Sequence, residues 1–563
     1  MAQEGLELLD GDQEVPVLIV GGSLVGLSTS MFLGLHGIAC LSVEKHQGTA
    51  IHPRAGYFQL RTLELLRLAG IEDQVIAAAH ALYDPNGGFV AVETLAGREI
   101  TSYMPDINQG VEDVSPARRL FMPQQVLEPL IKSRALKLGS RLVYSTELVS
   151  FQQDATGVTA HVRHVETLRE ARIRARYMVA CDGNRSPVRE ALGIAMQGHA
   201  VMSNSITIYF RADCSSALRG RNLGVIYVNN PKIRGFFRLE KTGLGGFLVI
   251  FTAGDIHSPA ARNVASDLSV ERAVQHVRDA VGDPDLAVQV EDVASWVAVS
   301  RAAELYGRGR VFIAGDAAHH MPPTGGFNGN TGVQDAHNLA WKIACVTRGE
   351  AGPELLDTYD HERRPAGELA MEQAYQRYVT RSDPDLGTHG MQKPVPDMHV
   401  EYNRYRSRAV VHDAAYEDDG ARDIDPRRSR ALPGTRAPHL DLRREGGLIS
   451  SLDLYGHGFV LLARAEDGAE WIAAAAQVAA ELRVPIAAYL VGRPGSAAAL
   501  VDLPPHRRTA GQLFSRSFPE AHGIEASGAV LVRPDGYVGW RTARHTPDAA
   551  ARLGSALRSI LCL

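Results

Sequence analysis

Pro16-Val17-Leu18-Ile19-Val20 is a short apolar run that passes directly into Gly21-Gly22-Ser23-Leu24-Val25-Gly26, after which Leu24, Leu27, Met31 and Leu35 form an apolar stripe at helical spacing. The order reads strand, glycine turn, amphipathic helix. Gly37 stops the helix, and Ala39 to Val43 read as a second buried strand ending at Glu44. A βαβ unit of about 30 residues therefore opens the chain. In a dinucleotide fold the first glycine of G-x-G-x-x-G makes the tight turn, the second lets backbone approach a pyrophosphate, and the third lets helix pack on strand. Gly21 and Gly26 hold the first and third places, whereas Ser23 adds a methylene and a hydroxyl at the second. Glu44 lies 18 residues beyond Gly26, where a carboxylate can accept bonds from ribose hydroxyls. By themselves these residues also fit a plain glycine turn followed by a solvated glutamate.

Outward from this unit, the 563 residues correspond to about two to four domains. Apolar residues at 45% and charged residues at 22% are a globular mixture able to bury several cores. Lys and Arg number 59 against 64 Asp and Glu, a net charge of −5, which points to small-molecule partners and away from nucleic acid or an anionic membrane. Cys40, Cys181, Cys214, Cys345 and Cys562 are scattered and form no C-x-x-C pair, so neither a disulfide framework nor a metal site is expected, and a reducing cytoplasm fits best. The acidic start MAQEGLELLDGDQEV lacks the basic and apolar regions of a signal peptide, and no long apolar run suggests a membrane span. Glycine, at 54 residues, slightly exceeds the usual share of about 7%, which raises the question of where the glycines cluster.

Between 196 and 290 the texture changes to alternating β-branched and aromatic runs at Ile206–Phe210, Val225–Val228, Gly235–Leu239 and Gly246–Phe251, read as an antiparallel sheet inserted between α/β segments. After the Pro/Gly-bearing stretch 383–396 and an arginine-rich patch around Arg427–Arg430, strand- and helix-like segments indicate a separate C-terminal domain at roughly 430–563.

Two further glycine clusters follow apolar strands. Cys181-Asp182-Gly183-Asn184-Arg185-Ser186-Pro187 reads as a tight turn before a helix, in which Asp182 caps backbone or faces a ligand. Ala314-Gly315-Asp316-Ala317-Ala318-His319-His320-Met321-Pro322-Pro323-Thr324-Gly325-Gly326-Phe327-Asn328-Gly329-Asn330 delivers Asp316 from a buried strand. Its Pro/Gly loop lets backbone come close to something flat, and the spacing predicts a helix starting near Asn330 whose positive end faces the loop.

Together the three stretches resemble the class A flavoprotein aromatic hydroxylases, the single-component FAD monooxygenases of para-hydroxybenzoate hydroxylase pattern, and in detail the phenol and aromatic-polyketide hydroxylases. GGSLVGL is similar to the family's FAD fingerprint, CDGNRSPVR to its D-G motif and AGDAAHHMPPTGG to its G-D motif, and the likeness runs from about residue 15 to 380, including DTYDHERRP at Asp357–Pro365. The resemblance implies an α/β fold: a Rossmann-like FAD-binding domain in three pieces (15–85, 113–195 and 291–400), an inserted β-rich substrate-binding domain (86–112 and 196–290) and a thioredoxin-like C-terminal domain (430–563). Without C-x-x-C that last domain has no dithiol chemistry, and packing or oligomer contact, as in a homodimer, is its expected role.

The resemblance also implies cofactor contacts. Gly21, Ser23 and Gly26 would form the first turn, Glu44 would hold the ribose, Asp182 and Gly183 would lie near the pyrophosphate, and Asp316 would hold the ribitol hydroxyls. Arg54 would approach the pyrophosphate and flavin, and Gln124 would contact the cofactor with Leu127 behind it. Pro323 would lie beside the reactive edge, while Gly326, Gly329 and Asn330 would present backbone to the ring. Asn328 departs from the family's glycine, and Asn tolerates the left-handed backbone. The expected activity is hydroxylation of a phenolic or quinonoid aromatic, of polyketide type, through a flavin C4a-hydroperoxide, with NADPH or NADH as transient co-substrate and O2 as oxidant. No catalytic side chain is implied, since the flavin carries the chemistry. Tyr227, Phe236, Phe237 and Phe247 are candidates for the substrate wall, although aromatics on strands are commonly plain core. His319 reads as a satisfied loop histidine more readily than as an acid or base. Two other readings stay open: a hydroxylase of a small phenol, such as a halogenated one, and a redox-quiet FAD-binding protein that sequesters an intermediate.

Overall fold

The computed structural model describes residues 11–52, 54–252, 263–388, 390–412, 416–503, 516–525, 527–544 and 548–563; most of the acidic N-terminal stretch lies outside the described residues. The opening unit is a strand at Gln13–Val20, a helix at Leu24–Leu35 and a strand at Cys40–Val43. Gln13–Val20 runs parallel to Cys40–Val43 on one side and to Glu170–Ala180 on the other, and Glu170–Ala180 runs parallel to Val311–Ile313. Segments far apart in sequence thus share one sheet, whose central strands are covered on both faces, as parallel strands require. Helix Leu24–Leu35 is buried almost all round, and its Ser28, Thr29 and Ser30 hydroxyls donate to the carbonyls of Leu24, Val25 and Gly26 one turn back. That local pairing lets three hydroxyls sit in a dry interface.

A second sheet has eight strands in the order His319–His320, Gln289–Ala303, Met196–Arg211, Gly245–Phe251, Arg234–Leu239, Leu223–Asn229, Gly88–Val92 and Glu99–Met104. The sequence reading of a purely antiparallel sheet needs correction: Leu223–Asn229 and Gly88–Val92 pair in parallel, because they belong to separate excursions of the chain. Helix Val270–Val281 covers one face through Ala273, Val277, Ala280 and Val281. The other face is aromatic and looks toward Tyr57, Phe121 and Tyr378. His319–His320, which begins three residues after Asp316, pairs with Arg301 and Ala302 and so joins the third glycine cluster to the edge of this sheet.

The C-terminal region folds around a seven-stranded sheet. Phe459–Arg464 and Ile486–Gly492 are parallel strands connected by helix Ala469–Leu482; Ala529–Val532 runs antiparallel to the first, and helix Ala549–Leu561 closes the chain. This region sits on the first through Trp341, edge-on to Phe459 at 6.1 Å, and through Arg533, whose guanidinium reaches Glu362 at 2.6 Å. All five cysteines are free thiols. Among the described residues no helix is long and apolar enough to cross a membrane.

Candidate active site at the strand ends

The three glycine clusters meet because their strands end side by side. Val20 is level with Ala180 and Val43, and Ala180 with Ile313. Backbone bonds tie the strand exits together: Gly21 N–H to the Val43 carbonyl at 2.8 Å, Cys181 N–H to Val20 at 2.7 Å and Ala314 N–H to Ala180 at 3.0 Å. The turn needs bare backbone. Gly21 has φ +109°, and a Cβ there would stand 2.2 Å from the Cys181 carbonyl oxygen; one on Gly26 would stand 1.9 Å from the Gly21 oxygen. A Cβ on Gly315 would meet Val25 at 2.6 Å, and one on Gly326 would meet the Tyr57 ring at 2.8 Å, so the third cluster closes onto the first helix and the Tyr57 segment.

Glu44 curls back onto the turn and accepts from Gly22 N–H at 2.6 Å and from His46 N–H at 2.9 Å. Ser23 does not cap the helix that follows it. Its hydroxyl donates instead to Glu128 at 2.6 Å and accepts from the Gln124 amide at 2.9 Å, while Gln124 also donates to Glu128 at 2.7 Å and accepts from Ala55 N–H at 3.2 Å. Glu128 is fully buried, and its second oxygen accepts from Ala50 N–H at 2.6 Å. Ser23, Gln124 and Glu128 therefore pin the 50–55 loop against the glycine turn. The first-turn N–H groups of Leu24–Leu35 face no acidic side chain of their own helix and point at the turn mouth. Glu128 was not singled out from sequence; its visible signal is an acid four residues after Gln124 on one helix face.

The third cluster is held by a chain of polar side chains. Asp316, exposed at the strand end, accepts from Asn328 Nδ2 at 2.8 Å. Asn328 Oδ1 faces His319 Nδ1 at 2.9 Å, and His319 Nε2 faces Asp335 at 2.9 Å. Asp335 also accepts from Gly315 N–H at 3.2 Å and pairs with Arg363 at 2.8 Å. Burial pushes the Asp335 carboxyl up, but the Arg363 guanidinium and His319 outweigh it and hold it below the usual carboxylate range. Asp335 and Arg363 were not read as site residues, although Arg363 falls within the DTYDHERRP stretch; Asp335 carries no local signal beyond its charge.

The helix of this cluster spans Phe327–Arg348 with Gly326 as its N-cap at φ +66°, three residues earlier than the spacing predicts, because Gly326 takes up the left-handed conformation that starts it. Asn330 consequently lies in its first turn, buried. Its Oδ1 accepts from Gln59 N–H at 2.9 Å and Thr62 at 2.7 Å, and its Nδ2 donates to Tyr57 O at 2.9 Å and Gly326 O at 2.6 Å. The Asn330 side chain thus has every bond it can make within the protein and braces the loop. Pro323 is exposed, and its carbonyl accepts from Gly326 N–H at 3.0 Å. A Cβ on Gly329 would lie 3.4 Å from Ala55 Cβ, which places Arg54 near this loop; the Arg54 side chain is exposed with no ion-pair partner among the described residues. Asp182 accepts from Val188 N–H at 3.1 Å, its other oxygen is buried without a partner among the described residues, and burial raises its carboxyl. Gly183, at φ +84°, has open space where a Cβ would stand.

Strand alternation sorts the aromatic candidates. Tyr227, Phe236 and Phe247 lie in one cluster with Tyr57, Phe89 and Phe121, on the sheet face toward the glycine loops. Phe237 does not: it points to the opposite face, among Phe210, Ile226 and Val277 beneath the covering helix. Successive strand residues face opposite ways, so Phe236 and Phe237 cannot both line one wall, and Phe237 is core.

Residues 14–374 match the family model of the FAD binding domain and residues 430–562 that of the aromatic-ring hydroxylase C-terminal domain. The chain belongs to the FAD-dependent aromatic-ring hydroxylases. A relative from Burkholderia sp, 4-methyl-5-nitrocatechol 5-monooxygenase, is 48% identical over 98% of both chains. The tetracenomycin A2 monooxygenase-dioxygenase of Streptomyces glaucescens is 38% identical over 98% of this chain and 97% of its own. In three dimensions this hydroxylase is similar to a ternary complex of aklavinone-11 hydroxylase with FAD and aklavinone, at TM-score 0.88 and 36% identity, over 98% of this chain and 100% of that one.

The hydroxylase's own residues fit FAD on physical grounds. The turn at Gly21 and Gly26 has no room for side chains, two helix N-termini face the mouth without acids in their first turns, and three carboxylates, Glu44, Asp182 and Asp316, follow the strands that flank and extend outward from Gln13–Val20 in the same sheet. Backbone donors suit a pyrophosphate, and carboxylates suit the hydroxyls of a ribose and a ribitol chain.

Proposed function

We propose that this protein uses FAD and NAD(P)H to place a hydroxyl group on a phenolic ring held between the glycine loops and the aromatic sheet face. The convergence of the three strand-end motifs beneath Tyr227, Phe236 and Phe247 is the observation that carries this reading. FAD, when bound, supplies the acceptance of hydride and the activation of O2, chemistry that no side chain offers.

The chain's part is to bind, orient and exclude water. Glu44, already fixed by Gly22 and His46, accepts from ribose hydroxyls, and the first turn of Leu24–Leu35 with Asp182 and Gly183 borders the pyrophosphate. Asp316, aimed by Asn328, accepts from the ribitol. Arg54, Gln124, Pro323, Gly326 and Gly329 border the ring system, with Asn330 acting as brace. The positive end of Phe327–Arg348 favours negative charge there by about 0.3–1 kcal/mol, and up to about 2 kcal/mol where partly buried.

The domain limits follow the pieces named above, except that Gln289–Ala303 is a strand of the second sheet and so goes with the substrate-binding domain, and the C-terminal domain is thioredoxin-like: its parallel Phe459–Arg464 and Ile486–Gly492 pair, antiparallel hairpin and closing helix support this. Five free, scattered cysteines suit a cytoplasmic enzyme, and a homodimer is its proposed assembly. The tetracenomycin and aklavinone relatives favour a fused-ring, polyketide-type substrate. The nitrocatechol relative, with its higher identity, favours the second reading, a single-ring phenol.

Aerobic oxidation of NADPH and NADH across a panel of one-ring and fused-ring phenols, with mass analysis of products, tests the function. Stimulated oxidation with a product one oxygen atom heavier is expected. Bound FAD without stimulation by any phenol would leave the sequestering protein as the better description.

A further inference from the structure

Arg238, in the strand Arg234–Leu239, is 5% exposed, and its Nε and Nη1 have no hydrogen-bond partner among the described residues. The other deeply buried arginines behave differently: Arg61 faces Glu64, Arg119 faces Glu401, Arg363 faces Asp335 and Arg533 faces Glu362. Burying a guanidinium is costly unless an anion or acceptor meets it, so an orphaned one beside an active site calls for a ligand that completes it.

Its surroundings are built around it. Alternation puts Arg238 on the same sheet face as Phe236, and its Cα partner across the ladder is Phe247. The guanidinium carbon lies 4.7 Å from the Phe121 ring centroid and 6.0 Å from that of Tyr83. A Cβ on Gly56 would stand 2.2 Å from Nη1, so the bare backbone of Gly56, next to the loop carrying Arg54, makes the space the guanidinium fills. The Tyr57 hydroxyl is also buried without a hydrogen-bond partner among the described residues, in the field of Arg119, Asp397 and Glu401 as well as Arg238, and the Tyr57 and Phe121 rings are 5.4 Å apart. The titratable groups that Arg238 feels are the phenols of Tyr83, Tyr57 and Tyr227; burial, the largest influence, pushes it down only to about 10, so it remains a cation at neutral pH.

We propose that Arg238, with the phenol of Tyr57 in the same aromatic cluster, is the specificity-determining subsite of this hydroxylase and selects aromatic substrates that carry an ionised oxygen on the ring. This rests on the aromatic-hydroxylase reading and narrows its substrate class. The aromatic cage excludes water and holds the ring, while the guanidinium supplies charge-assisted hydrogen bonds to a phenolate or carboxylate oxygen. A neutral ring fills the same cage but leaves the guanidinium uncompensated, which sets the preference.

The test is equilibrium binding, which needs no turnover. FAD-loaded wild-type protein, Arg238→Met, Arg238→Lys and Tyr57→Phe are titrated by calorimetry with 4-nitrocatechol, 4-nitrophenol, 4-nitroanisole and 4-nitrobenzoate, above and below the pKa of each phenol. The wild type is expected to bind an ionised ligand about tenfold or more tighter than the anisole. Arg238→Met should lose that preference while binding the anisole as before, Arg238→Lys should keep part of it, and Tyr57→Phe should weaken the ionised ligands alone. The phenolate and benzoate arms show which ionised oxygen the subsite prefers. Equal loss of affinity for charged and neutral ligands in Arg238→Met would overturn the proposal and leave Arg238 as a prop of the aromatic cage. If Arg238→Met fails to retain FAD, the wild type's own pH profile decides: affinity that does not rise as the phenol ionises overturns it. Failure of every phenol to stimulate NAD(P)H oxidation, with the binding preference intact, would count against the hydroxylase reading and not against this subsite.

Discussion

Asn328 Nδ2 donates to Asp316 Oδ1 at 2.8 Å, although the two residues are on different elements of the third glycine cluster. Asn328 is the residue that departs from the family's glycine, and its other amide end meets His319. The side chain thus connects the exposed carboxylate to the buried Asp335–Arg363 pair. Asn328→Gly removes a hydrogen bond to a charged group, worth about 1.5–3 kcal/mol, so FAD affinity of the apoprotein should fall by about tenfold or more. Fluorescence titration of apoprotein with FAD measures this directly, and Asp316→Asn should show a similar loss.

Glu128, itself fully buried, gathers Ser23, Gln124 and the Ala50 N–H. Glu128→Ala strands those donors at about 1–3 kcal/mol each. The melting temperature should drop, and FAD should be released at a lower temperature than unfolding as the 50–55 loop comes free. Ser23→Gly, which restores the fingerprint glycine, should cost about 1 kcal/mol, because here the hydroxyl is part of the brace. Thermal melts followed by flavin fluorescence and by circular dichroism separate the two events.

Phe236 and Phe237 are neighbours with opposite duties. Phe237→Ala opens the core beneath helix Val270–Val281 and should cost about 3–5 kcal/mol of stability with little change in substrate affinity at low temperature. Phe236→Ala should change substrate dissociation constants and the one-ring to fused-ring preference. Urea titration alongside ligand titration of both variants checks the division.

Arg533 of the C-terminal region bonds Glu362 and Asp535, and Lys342 bonds Glu362 at 2.8 Å, all of them essentially buried. Burial lowers the Lys342 ammonium to about 8, whereas Arg533 and Lys342 together overcome burial and hold Glu362 well below the carboxylate range. Arg533→Met leaves Asp535 without its guanidinium partner and Glu362 with Lys342 alone, and should destabilise by about 3–5 kcal/mol. Since Glu362 directly precedes Arg363, FAD retention should fall with it, which a spin-column assay of bound flavin would show.

His522 is fully buried, with Nδ1 at 3.0 Å from the Phe518 carbonyl oxygen, and burial lowers its pKa from 6.5 to about 4. The unfolded chain therefore binds more protons than the folded one between those values. Stability from this group is complete above pH 6.5 and is lost as pH falls toward 4, at roughly a kcal/mol per pH unit. His522→Gln should flatten that decline; urea midpoints at pH 7.5 and 5 compare the two slopes.

The sequence by itself determined the opening βαβ unit, the three strand-end motifs, the family and the carboxylates Glu44, Asp182 and Asp316, because each depends on short-range order: a β-branched run, a turn that only glycine permits, an acid at a strand end. Tertiary structure alone decided what those residues lean on. Glu128 against Ser23, and Asp335 and Arg363 behind Asn328, are contacts between segments far apart in the chain, and no local pattern marks a buried acid as a brace. The same holds for the substrate wall. Phe236 and Phe237 are equivalent as letters in a strand, and only the placement of helix Val270–Val281 over one sheet face and Tyr57 over the other makes one of them core, leaving Phe236 and Arg238, whose Nε and Nη1 meet no acceptor among the described residues, on the side where a ring would lie.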